Sequence, residues 1–204
     1  MRGLKLYKKY IKNLLDFLLS LLMLIILSPI FLIIGIISKI EEPKGTIFFK
    51  QYRAGVDNKP FLCYKFRSMK MDAPKNASTW ELENPDQFIT PLGKFLRKTS
   101  LDELPQLINI FKGDMSFIGP RPVILKEKEL LDLRAANGAT KAKPGITGLS
   151  QISGRDNLSP ALKAETDGIY AENITFIKDL KIFLKTIPKV LRGEGVTEGK
   201  QNFN

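Results

Sequence analysis

Residues 95–122, FLRKTSLDELPQLINIFKGDMSFIGPRP, set an adjacent acid pair, Asp102 and Glu103, between basic residues and a Gly-Pro-Arg-Pro turn. An ionised aspartate can attack phosphorus and hold a phosphoryl group. A neighbouring glutamate can ligate Mg²⁺, which favours one or two carboxylates plus substrate phosphates. Such a metal would also screen a carboxylate nucleophile from an anionic pyrophosphate. Ser100-Leu-Asp-Glu103 fits a plainer role as well, a capping box in which Ser100 caps a helix and Glu103 reaches back to its N–H. Asp102 would then complement the helix dipole, and in either role a helix start is expected to keep it ionised.

Other cations could serve the same anion. Two prolines in Gly119-Pro-Arg-Pro122 make a rigid loop for Arg121, and a planar guanidinium suits bidentate phosphate recognition. The alternative there is a structural turn with a solvated arginine. Lys65 and Arg67, in KFRS, would share one face of a strand, and an exposed strand face would look the same. Pro144, Gly145, Thr147 and Gly148, followed by Arg155, form a Gly-rich loop with cations. Such loops let backbone N–H groups approach a phosphate or nucleotide, although this one is neither a Walker loop nor a dinucleotide fingerprint.

Composition narrows the chemistry. The 204 residues contain no histidine, so Ser-His-Asp and Cys-His schemes and imidazole metal sites are excluded. Cys63 is alone, which excludes an intrachain disulfide and points to a reducing compartment. Its apolar setting, PFLCYKF, suits a buried structural thiol. The net charge of +11, from 32 Lys+Arg against 21 Asp+Glu, favours anionic partners such as acidic headgroups or phosphorylated substrates. Nucleic acid is not expected, because no zinc finger, aromatic-basic RNA motif or evident helix-turn-helix is present.

The elements that must position these groups begin with an apolar run. Residues 17–38, FLLSLLMLIILSPIFLIIGIIS, carry no charge. As a helix they cover about 33 Å, enough for a bilayer core. They are too long for a signal peptide, and no small-residue cleavage site follows. Both flanks are basic, Arg2 to Lys12 on one side and Lys39 to Arg53 on the other. The positive-inside rule therefore places both ends in the cytoplasm, which a single straight span cannot satisfy. A re-entrant hairpin can, broken at Ser28-Pro29: Pro29 removes an intrahelical hydrogen bond and Ser28 can satisfy freed backbone groups. A kinked spanning helix is the alternative.

Beyond it, residues 46–53 and 60–69 read as strands around a turn at Gly55–Asn58. Residues 72–90 read as a polar loop with a helical patch near Trp80. Helices are expected over 100–112, ended by Gly113, over 123–138, and over much of 159–192, with Pro188 breaking or kinking the end. Residues 141–157 read as a loop with a short strand, and the tail from Gly193 as polar and loose.

KFRSM, TSLDELPQLINIFKGDMSFIGPRP, KPGITGLSQISGR and DGIYAENITFIKDLKIFLKT together resemble the bacterial sugar transferase family, specifically the small monotopic phosphoglycosyl transferases of the PglC type. The match covers nearly the whole chain, and the long middle motif is the specific one. The resemblance implies an α/β (α+β) fold: a basic lead-in and re-entrant membrane helix over 1–40, then a small, mostly helical cytosolic catalytic domain with a short β-hairpin over 41–204. It implies transfer of a sugar-1-phosphate from a UDP-sugar to a polyprenol phosphate, undecaprenyl phosphate, with release of UMP and a covalent aspartyl phosphosugar intermediate. Asp102 would be the nucleophile and Glu103, with Asp102, the Mg²⁺ site. Lys65, Arg67 and Arg121 would hold phosphate, while Arg155 and the Pro144–Gly148 loop would face the nucleotide.

The implied location is the cytoplasmic leaflet of a bacterial inner membrane, both termini cytoplasmic, with downstream glycosyltransferases as partners. Departures from the family pattern at Leu149–Ser153 and Ile169–Ala171 bear on the donor sugar and nucleobase and leave the acid pair untouched. The competing reading is a non-catalytic membrane adaptor that docks on lipid or a partner through its basic face.

Overall fold

A computed structural model describes residues 6–74, 84–154 and 157–192. The helical patch near Trp80, Arg155 and the tail from Gly193 lie outside the described residues. Helix and short strand are mixed, as an α+β reading requires.

A π-helical turn at Tyr7–Ile11 leads into α1 (Lys12–Ile26), and α2 (Ser28–Glu41) follows at once. The two are bent by 59° at Leu27. Among the described residues no single helix is long and apolar enough to cross a membrane, but this bent pair passes that test together. The break falls where the sequence puts it. Pro29 sits in the first turn of α2, where its missing N–H costs nothing. Ser28 Oγ donates to the Ile25 carbonyl at 2.8 Å, and the Leu27 N–H still reaches Met23 O at 2.9 Å. Much of both helices carries exposed apolar side chains, among them Leu18, Leu22, Ile25, Ile26, Leu32 and Ile36.

β1 (Phe48–Ala54) and β2 (Pro60–Phe66) form an antiparallel hairpin in the register Phe48 to Phe66 and Ala54 to Pro60. Its turn carries Asp57 and Asn58 at positive φ, the region asparagine and aspartate tolerate best. The second strand stops at Phe66, short of the expected residue 69. Arg67 follows directly, its N–H still donating to Ile47 O at 2.9 Å and its guanidinium lying over the ring of Phe49, the cross-strand partner of Lys65.

Helix α3 (Pro91–Lys98) was not expected, yet its start is conventional: Thr90 Oγ1 accepts from the Gly93 N–H at 2.9 Å, and a proline follows the cap. Next come a 3₁₀ turn at Leu101–Glu103 and α4 (Gln106–Lys112), which ends at Gly113 with φ 86°. The expected helix over 100–112 is thus two pieces. Ser100 is left-handed (φ 57°) and makes no side-chain cap, so the capping box does not form.

β3 (Ser116–Ile118) pairs in parallel with β4 (Gly145–Thr147) across the intervening α5 (Lys128–Ala136). After the short α6 (Leu149–Ser153) come α7 (Pro160–Glu172) and α8 (Phe176–Arg192). Asn173 interrupts the long helical stretch, and Thr175 restarts it by accepting from the Lys178 N–H. Pro188 does not end α8, which runs on to Arg192. Pro188 is exposed, as is Leu184 four residues back.

The core lies in connected patches. Cys63, Leu107, Ile110 and Met115 pack beneath Leu24 of α1 and Leu27 at the bend. Ile34, Phe66 and Leu96 join α2, the hairpin and α3. Tyr7, Ile118, Tyr170 and Ile182 join the N-terminal turn to β3, α7 and α8. A buried hub ties the last patch together. Asp179 accepts from Lys12 Nζ and Tyr7 Oη through Oδ2, each at 2.7 Å, and from Tyr170 Oη through Oδ1 at 2.7 Å.

Candidate active site

The 3₁₀ turn at Leu101–Glu103 follows the strained Ser100 and carries both carboxylates inward, Asp102 and Glu103 each being buried. Lys65 points at them from β2. Its ammonium lies 2.8 Å from Glu103 Oε1 and 3.7 Å from Asp102 Oδ2. Arg121 comes from the Gly-Pro-Arg-Pro loop, Nη1 donating to the same Glu103 oxygen at 3.3 Å. Sequence reasoning named all four groups, and the fold brings them together.

The electrostatics differ from those of a helix start. Burial pushes the Asp102 carboxyl above the usual carboxylate range; Lys65 opposes this, Glu103 adds to it, and Arg97 and Arg121 oppose it. The turn is not a helix long enough to supply a dipole, so cations rather than helix geometry sustain the charge. Arg97 was missed. It lies on α3, which the sequence reading left unassigned, and its Nε donates to Ser68 Oγ at 2.9 Å.

Two further expected contributors are held by other parts of the fold. Arg67 binds Thr46, donating from Nη2 to Oγ1 at 2.6 Å and from Nε to the carbonyl at 2.9 Å. The Pro144–Gly148 loop braces the Arg121 loop. The Gly145 N–H is spent on Pro120 O at 2.9 Å, Gly119 N–H donates to Thr147 O at 2.8 Å, and Ser116 N–H to Pro144 O at 2.9 Å. The Thr147 hydroxyl pairs with that of Thr186 at 2.8 Å. A Cβ on Gly145 would lie 2.1 Å from Gly119 N, and one on Gly148 2.0 Å from Gly119 O. Those glycines are needed for close backbone approach. Cys63 is buried and its thiol is pushed up by burial, as a structural thiol would be.

Two buried carboxylates, faced by an ammonium and a guanidinium and lacking any imidazole, equip an enzyme for group transfer on an anionic substrate. The comparisons with known proteins agree. The bacterial sugar transferase family matches residues 7–193. The exopolysaccharide production protein ExoY of Sinorhizobium fredii is 40% identical over 194 residues, covering 88% of this chain and 85% of the relative. The undecaprenyl-phosphate galactose phosphotransferase of Salmonella typhimurium is 40% identical over 202 residues, 92% of this chain and 42% of that protein. The UDP-glucose:undecaprenyl-phosphate glucose-1-phosphate transferase of Klebsiella pneumoniae is 40% identical over 185 residues, 87% of this chain and 39% of that protein. The chain thus spans most of the first relative and about two-fifths of the other two. It is a transferase, and it belongs to the bacterial sugar transferase family.

Proposed function

We propose that this enzyme moves a sugar-1-phosphate from a UDP-sugar to a polyprenol phosphate such as undecaprenyl phosphate, through a covalent phosphosugar on Asp102. The observation that carries the reading is the buried Asp102–Glu103 pair with Lys65 and Arg121 converging on it. The names of the Salmonella and Klebsiella relatives support the substrate classes.

In the first half-reaction an Asp102 carboxylate oxygen attacks the phosphorus that bears the sugar. The bond from that phosphorus to the UMP oxygen breaks, and UMP leaves with the electron pair. In the second, an oxygen of the acceptor phosphate attacks the same phosphorus, and the carboxylate is released. Polyprenyl-diphosphate sugar is the product. Neither nucleophile carries a proton to be removed, so a site without histidine suffices. Lys65 and Arg121 neutralise charge that concentrates as nucleophile and diphosphate meet.

The donor set fits Mg²⁺, a hard cation that takes one or two carboxylates and completes its shell with phosphate oxygens and water. Asp102 and Glu103 would hold it. Among the described residues no group of three or more His, Cys, Asp or Glu could serve as a ready-made cage. When bound, the ion screens the negative charge of the diphosphate.

Membrane attachment belongs to the same proposal. The α1–α2 pair would enter the cytoplasmic leaflet and return, with residues 41–204 as the catalytic domain and both termini in the cytoplasm. The 59° bend, the self-satisfied break and the exposed apolar faces support a re-entrant pair. α8 adds further exposed apolar side chains, Phe176, Ile177, Leu180, Phe183 and Leu184.

Intact-protein mass spectrometry tests the chemistry. Enzyme mixed with a panel of UDP-sugars and Mg²⁺, without acceptor, should gain one sugar-phosphate mass. Asp102→Asn should gain none. If neither protein forms an adduct and no UMP appears when acceptor is added, the reading is wrong.

A further inference from the structure

We propose that Arg134 is a positioning residue for this transfer, acting through the backbone of Arg121. The inference rests on the proposed function, because it takes Arg121 to hold a substrate phosphate.

Arg134 lies on α5 and is buried, its side chain only 7% exposed. Its guanidinium is used as a three-way clamp. Nε and Nη2 both donate to Asp167 Oδ2 on α7. Nη1 turns the other way and donates to the Arg121 carbonyl at 3.0 Å. Asp167 is itself fixed, since its Oδ1 accepts from Ser150 Oγ of α6 at 2.8 Å. Three helices are therefore linked, through Arg134, to one carbonyl oxygen.

That carbonyl sits in a loop whose other acceptors are also held. Pro120 O accepts from the Gly145 N–H at 2.9 Å, and Val123 O from the Ala54 N–H at 2.9 Å. Arg53 Nη1 reaches Pro122 O at 3.5 Å. Pro120 and Pro122 have no N–H to offer, so beyond the Gly119 N–H, which donates to Thr147 O, these carbonyls orient the loop. Of these anchors, the one at Arg121 fixes the residue that reaches Glu103. A buried Arg–Asp pair is not in itself a gain in stability, since desolvation offsets the attraction. Its use here is geometric: it holds one N–H at a fixed place and angle. Lysine cannot replace it, because an ammonium lacks the planar fork that serves two partners in opposite directions.

The test is a double-variant cycle on the full-length, detergent-purified enzyme. Donor kcat and KM, and the rate of adduct formation, are measured for wild type, Arg134→Lys, Arg121→Lys and the pair. A melting curve checks folding. Arg134→Lys keeps a cation beside Asp167 and loses the donor to the Arg121 carbonyl. It should lower donor kcat/KM by roughly tenfold to a hundredfold, as small misplacements of a binding group do. In the Arg121→Lys background the same change should cost almost nothing further.

Equal fold losses in both backgrounds, or no loss at all, would overturn the inference and leave the proposed function standing. An Arg121→Lys enzyme as active as wild type would overturn it too, along with the phosphate role of Arg121; the mass measurement on Asp102 judges the covalent step independently. Should Arg134→Lys unfold, Arg134→Met with Asp167→Leu leaves no unpaired charge and carries the same cycle.

Discussion

At the scale of single residues, the acid pair sets a pH dependence with a definite sign. Burial raises the Asp102 pKa, and the proposed attack on phosphorus requires its ionised form. The acid limb of kcat/KM, which reports the free enzyme, should therefore lie above the ordinary carboxylate range. Glu103→Gln removes a like charge from beside Asp102 and should move that limb to lower pH, whatever it does to the rate. Stability follows by linkage. A carboxyl whose pKa is higher folded than unfolded costs stability when ionised. The cost is absent below the unfolded pKa and complete above the folded one. Asp102→Asn should then melt higher than wild type near neutral pH, with the advantage gone in strong acid; an unchanged difference across pH would count against the burial argument. The same residues show what the sequence could tell. The grouping of Asp102, Glu103, Lys65 and Arg121 was legible because their types and motif suit a shared anionic ligand, and the fold does bring them together. Arg67, expected to line the anionic site, follows the strand that stops at Phe66, and its guanidinium bonds Thr46. Arg134 could not be read at all, since its meaning depends on Asp167 and Arg121, far from it in sequence.

Among the elements, the two parallel strands are the least conspicuous and the most constrained. β3 and β4 are three residues each; β4 is the short strand expected within residues 141–157, whereas β3 is too short for periodicity to betray it. What fixes them is the contact of the Gly119 and Gly145 backbones. Gly145→Ala would force a Cβ to 2.1 Å from Gly119 N. A cost of about 2 kcal/mol or more is expected from such overpacking, read as a lower melting temperature with loss of activity in parallel. The broken helix was legible, by contrast, because Ser-Pro within an uncharged apolar run leaves few solutions. Pro29→Ala should straighten the α1–α2 pair towards a span. Cysteines introduced at positions 3 and 60, in a Cys63→Ala background, report the topology by labelling from each side. If both still label from the cytoplasm, Pro29 does not set the break. Helix α3 escaped notice although Thr90-Pro91 is a sound start signal, because its short polar sequence resembles the loop before it.

For the molecule as a whole, the N-terminal helix is not a tether with a domain hung from it. Asp179 binds Lys12, Tyr7 and Tyr170 together, and Phe17 of α1 stacks on Phe111 of α4 at 5.0 Å. Lys12→Met would leave the Asp179 carboxylate buried without its cation, a change that costs about 3–5 kcal/mol in comparable pairs. A large fall in melting temperature is expected, and a near-neutral result would show that the two parts stand independently. The exposed apolar faces of α1, α2 and α8 carry a last consequence. Under the proposed membrane attachment, enzyme and lipid acceptor would meet in two dimensions, and the concentration governing turnover would be a mole fraction within the bilayer. Inert lipid added at constant total acceptor should slow the enzyme by dilution, while the same volume of extra buffer should leave the acceptor dependence unchanged.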